Sequence, residues 1–134
     1  PNLLSVEHRP TLARRIIYSS VRSAIAPILL MARKLGETEH HHAVTVVGMK
    51  LRKVHMESKF TGNDGIAFAD DLSGDLVAVS IHDDRLGPYV HAELTPGRPN
   101  CQLKLESGTG KGIPEAWDIT HILVPTHPKC NTFN

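Results

Sequence analysis

The chain has 134 residues, which allows one hydrophobic core and no second. Hydrophobic residues at 40% and charged residues at 22% are ordinary globular usage, and a formal charge of +1 excludes charge-driven binding to nucleic acid or membrane. No apolar run is long enough to span a membrane, no segment resembles a signal peptide, and two cysteines cannot staple a secreted framework.

The first ten residues carry two prolines and no clear period. From Thr11 the spacing predicts a helix, with Leu12, Ile16, Ser20 and Ala24 on one face, Ile17, Val21 and Ile25 flanking them, and Arg14, Arg15 and Arg22 outward. Pro27 ends it near Ala24 to Ala26. The apolar run 27–32 reads as a buried strand, residues 33–39 as a charged turn, and 42–51 as a β-branched strand pairing with the first. Gly62-Asn63-Asp64-Gly65 and the stretch 70–75 are turn signals, and Leu76 to Ile81 is a strand by composition. Further strands are expected at 89–94, 102–106 and 119–124, with a flexible loop at 107–112. One helix followed by five or six strands is the sheet half of an α+β protein.

Three groups of residues carry possible chemistry. His42 opens one strand and Asp83-Asp84 closes another, and a carboxylate that accepts from one ring nitrogen fixes the tautomer of a histidine base. Strand alternation lets only one of the two aspartates share the face of His42. The second group is the nine histidines. His40 and His42 share a strand face, and zinc would need a further ligand from His82, His91 or Asp83, but no spacing matches a known metal motif, so no metal or other cofactor is assigned. The third, His91-Ala92-Glu93, resembles the H-x-E of zinc deaminases, whose paired cysteines are missing here. Trp117 is expected to anchor the core, Gly108-Thr109-Gly110-Lys111 lacks the context of a phosphate cradle, and Arg9, Arg14 and Arg15 read as a solvated patch.

The segments Ser23-Ala24-Ile25-Ala26-Pro27-Ile28-Leu29-Leu30, His42-Ala43-Val44-Thr45-Val46-Val47-Gly48 and Ile81-His82-Asp83-Asp84-Arg85-Leu86-Gly87 together resemble the second half of papain-like cysteine peptidases, in the bacterial branch near the bacteriocin leader-processing peptidases. The resemblance covers roughly residues 11–94, with Leu51 to Asp75 as an inserted hairpin. It implies an α+β fold, a papain-like antiparallel sheet lobe preceded by one helix, filling residues 1–134 as a single domain or the C-terminal portion of one. It also implies His42 as the catalytic histidine and Asp83 as its orienting residue, receiving the Nδ1 hydrogen, a role in which asparagine would preserve some activity. The family's nucleophilic cysteine precedes its histidine, and no cysteine precedes His42 here. The function implied is therefore a cysteine peptidase portion, inactive alone, whose nucleophile lies on an N-terminal segment before Pro1. Its partner would be a peptide or protein substrate, with no nucleic acid, no membrane and a cytoplasmic location. The alternative is an inactive peptidase-like domain that binds a peptide or protein. A permuted arrangement with Cys101 as nucleophile conflicts with the strand pattern of residues 102–106, and Cys130 is weaker still.

Overall fold

The computed structural model describes residues 2–52, 72–95, 99–105 and 114–125. Among them a short strand β1 (Asn2–Ser5) leads into one helix, α1 (Pro10–Arg22). Six strands follow: β2 (Ile28–Leu35), β3 (Thr38–Leu51), β4 (Leu76–Asp83), β5 (Gly87–Thr95), β6 (Gln102–Leu105) and β7 (Glu115–Val124). Each of β2 to β7 pairs antiparallel with the next, and β7 also pairs with β2, so the sheet closes into a barrel.

Closure corrects the expected papain-like sheet lobe. The expectation is an α+β fold, but Leu103 pairs with Trp117 across β6 and β7 while Met31 pairs with Ile119 across β2 and β7, which makes a mostly β closed barrel with one short helix. A twisted sheet with one apolar face has to cover it, and a helix of 13 residues is too small to do so alone. Rolling the sheet around its own side chains covers that face. The interior holds Leu29 and Met31 of β2, Val44 and Val46 of β3, Val79 and Ile81 of β4, Leu94 of β5, Leu103 and Leu105 of β6, and Trp117, Ile119 and Ile122 of β7.

The second edge of β7 is divided. Residues Glu115 to Asp118 pair with β6, and His121 to Val124 pair with β1. The handover is bonded too, with Ile119 N–H donating to the Cys101 carbonyl and Val6 N–H to the Thr120 carbonyl, both at 2.9 Å. A register shift at Thr120 reverses the alternation, so Trp117 and Ile119 point inward before it and Ile122 after it.

The helix packs on the barrel through Ala13, Ile17 and Tyr18, with Leu12, Ile16 and Val21 partly buried beside them. It contacts β3, β7 and the 3-10 turn Ser73–Asp75 that precedes β4. Arg14 was expected outward; instead its guanidinium donates to the carbonyls of Leu76 and Leu94, tying the helix to β4 and β5. Pro10 starts the helix where a missing N–H costs nothing. The helix stops at Arg22. There Ala24 N–H bonds the Val21 carbonyl and Ile25 N–H the Ser20 carbonyl, a Schellman pattern around Ala24 at φ +61°. The expected hairpin of residues 51–75, the turn 62–65 and the loop 107–112 fall outside the described residues or mostly so.

Ala24 is exposed and held in the left-handed region, where a Cβ costs roughly 1–2 kcal/mol. Ala24→Gly should therefore raise unfolding stability in urea, by a net of about 0.5–1 kcal/mol once the more flexible unfolded chain is allowed for.

Candidate active site

One end of the barrel is formed by the β2–β3 hairpin, the β4–β5 turn and the start of β7. Alternation carries the inward face of each strand to this end. After Leu29 and Met31 the next inward position on β2 is Arg33; before Val44 on β3 it is His42; after Ile81 on β4 it is Asp83; before Trp117 on β7 it is Glu115. Four strands thus deliver polar side chains to one place.

His42 and Asp83 are in direct contact, His42 Nε2 lying 2.9 Å from Asp83 Oδ2. The Asp83 side chain is fully covered and that of His42 is 13% exposed. The other oxygen, Oδ1, accepts the backbone N–H of Arg85 at 2.7 Å and of Leu86 at 3.3 Å. This aspartate therefore does two jobs: it starts the turn into β5 and it holds the histidine. Gly87, at φ +106°, completes that turn in a conformation that side chains disfavour. Burial pushes the Asp83 carboxyl up, but the His42 hydrogen bond, the two backbone amides and the attraction of His42 outweigh it, so its pKa is lowered. Asp84 is exposed in the turn.

Around this pair lies a second network that the sequence reading missed. Glu115 Oε1 receives Trp117 Nε1–H at 3.2 Å and sits 3.3 Å from Arg33 Nη1 and 3.6 Å from Arg85 Nη2. The Trp117 ring lies 5.6 Å from the His42 ring, with the guanidinium carbons of Arg33 and Arg85 at 5.6 and 6.0 Å from it. Trp117 is buried, as expected of a core anchor, and also forms the floor of this site. Alternation was the available signal: extended two residues past Met31 it puts Arg33 on the core face rather than in a turn.

Four other histidines do not join it. His40 and His41 are exposed on the β2–β3 hairpin, His91 is exposed opposite Ser80, and His82 faces outward with its ring edge-on to Tyr89. Among the described residues, only His42, Asp83 and Asp84 bring metal-ligating atoms within 4.8 Å of one another. That set suits a cation poorly: both Asp83 oxygens already accept hydrogen bonds, and Arg85 Nε stands 3.9 Å from Oδ1. Cys101 is fully buried, and burial pushes its thiol up to about 11 despite the nearby Arg14. It is a core side chain rather than a thiolate. Cys130 lies outside the described residues.

The geometry also revises the role of the ring atoms. Asp83 faces Nε2, not Nδ1, so a carboxylate there places the hydrogen on Nε2 and leaves Nδ1 as the lone-pair nitrogen. Among the described residues nothing bonds Nδ1. An asparagine at 83 would not be equivalent. With its oxygen kept for the Arg85 and Leu86 amides, its NH₂ would face Nε2 and force the opposite tautomer.

Because the folded carboxyl of Asp83 titrates below its unfolded value of about 3.9, its contribution is complete above that value and disappears as pH falls through the folded pKa. Thermal unfolding should accordingly show stability dropping below about pH 4, with a shallower drop in Asp83→Asn. At pH 7 the same variant should lose about 1–3 kcal/mol.

Comparison of the chain with family models, with curated proteins and with solved structures finds no match.

Proposed function

We propose that this barrel is an enzyme that moves a proton on a small molecule, with His42 as the general base and Asp83 as its positioning residue. The observation that carries this reading is the fully covered Asp83 carboxylate, which is fixed by two backbone amides and directs Nε2–H of His42 toward itself, leaving Nδ1 without a partner among the described residues. The ring then has one protonation site to offer. When Nδ1 takes a proton, the imidazolium formed lies against a carboxylate that is already in place, so little reorganisation accompanies the transfer. His42 also borders a groove of about 610 Å³ whose lining includes Leu30, Ala32, His41 and Thr120 but none of Asp83, Arg33, Arg85 or Trp117.

Burial holds the Cys101 thiol protonated, so this reading uses no nucleophile from the described residues. Proton transfer by His42 needs none. A sequence reading of the opposite class, a binding domain without catalysis, predicts that the His42–Asp83 pair is only a clamp, and the two readings separate experimentally.

A nitrobenzisoxazole provides the probe, because removal of its ring C–H proton opens the N–O bond to a coloured phenolate without any other catalytic group. The wild-type chain should accelerate this opening over buffer, and His42→Gln should lower kcat/KM by about 100-fold or more. Asp83→Asn should be nearly as damaging while remaining folded, and nitrogen-15 spectra should show its hydrogen moved from Nε2 to Nδ1. Equal rates for wild type and His42→Gln would leave the pair as a structural clamp in a binding domain.

A further inference from the structure

Among the described residues, two arginines at this barrel end meet fewer partners than they have hydrogen-bond donors. Each guanidinium carries five N–H groups. Among the described residues, the carboxylates they meet are Glu115, through the single atom Oε1, and Asp83, which Arg85 approaches at 3.9 Å. Both carboxylates are already engaged: Glu115 Oε1 by Trp117 Nε1–H, and Asp83 by His42 and two backbone amides. The arginine side chains are neither fully buried nor free in solvent, at 21% exposed for Arg33 and 45% for Arg85. Both stand over the same Trp117 ring, which restricts where their remaining donors can point. Asp84, exposed in the turn, brings a negative group within 4.8 Å of the ligand atoms of His42 and Asp83.

From this placement we infer that the barrel mouth binds a small oxyanion, a carboxylate or phosphate of the substrate, through Arg33 and Arg85, with His42 beside it. Planar guanidinium forks match such groups in geometry as well as in charge. The inference rests on the proton-transfer reading for the site's purpose, and it adds the class of molecule that enters. A substrate held by its anionic group would present a neighbouring C–H or O–H to the open nitrogen of His42, and the same guanidiniums would stabilise negative charge that develops when the proton leaves. Asp84 opposes anion binding and so limits its strength.

The chain has a single tryptophan, so the emission of Trp117 reports on this site alone. Benzoate, inorganic phosphate and the neutral isostere benzamide are titrated against the intact chain. Saturable quenching by benzoate or by phosphate, with benzamide at least about tenfold weaker, is expected, and whichever anion acts identifies the group. Arg85→Gln, at the more exposed of the two positions, should weaken binding about tenfold or more with an unchanged melting temperature, and Arg85→Lys less. Asp84→Asn should tighten it. His42→Gln should bind the anion as the wild type does, so that loss of proton transfer and loss of anion recognition are separate results. The inference is overturned by equal binding of benzoate and benzamide, by no saturable response to either anion, or by indifference to Arg85→Gln. A stoichiometric response to Zn²⁺ that Asp84→Asn abolishes would give the site to a cation and also overturn it.

Discussion

The pairing of β6 with the first half of β7 is the contact on which the rest of the molecule depends. Without it the sheet has two open edges and an apolar face of Leu, Val and Ile that one short helix cannot cover. With it, the strands enclose their own core and no long edge is left unpaired between β2 and β7. Closure also forces the strands to tilt and stagger, which sets which side chains meet at each end. His42 and Asp83 lie 41 residues apart in sequence and become neighbours because β3 and β4 are adjacent staves of the same barrel.

The barrel interior is unequal along its axis. Toward the helix it is apolar, with Ala13, Ile17 and Val6 packed against the strands. Toward the β4–β5 turn it becomes polar, and there a buried acid would be costly unless each oxygen had a partner. Asp83 meets that demand with three donors. Glu115, partly exposed, gathers an indole N–H and two guanidiniums on one oxygen, Oε1. Satisfied networks of this kind are rigid, because moving one member leaves another unpaired in a low-dielectric setting. Rigidity is what a proton-transfer site requires, since the base must hold one tautomer and one orientation through the reaction.

The two halves of the network have different freedom. Asp83 is tied to backbone amides, so it cannot reorient without unfolding the turn from Asp83 to Gly87. The Arg85 side chain, by contrast, is held only by ion-pair and ring contacts among the described residues and is nearly half exposed. The base is thus fixed while one of its cationic neighbours is able to swing toward an incoming group. That division assigns proton chemistry to the inner pair and recognition to the outer arginines, in line with the proposals above.

Much of the local structure was legible in the residues themselves. Apolar alternation marked β4, β5 and β6, the apolar run after Pro27 marked β2, and the pairing of that strand with the β-branched run containing His42 followed from their proximity in sequence. His42 and the Asp83-Asp84 pair were also singled out from strand-end positions, while the choice of Asp83 over the exposed Asp84 came from the register of the motif the segment resembles. What alternation cannot express is which strand lies beside which when they are far apart in the chain. A sheet lobe and a closed barrel use the same half-buried strands, and the contact of β7 with both β2 and β6 is what closes this one. Arg33, Arg85 and Glu115 were hidden for the same reason: a charged residue at a strand end reads as a turn until tertiary packing brings other charges to meet it. The sequence by itself determined the helix and the apolar middles of β2 to β6, because those depend on local backbone geometry and periodicity, whereas β1 and the strand ends at Arg33 and Glu115 carried no such pattern. Tertiary structure decided the closure, the ring nitrogen that faces Asp83 and the company the pair keeps, because those depend on distances between segments that no local pattern encodes.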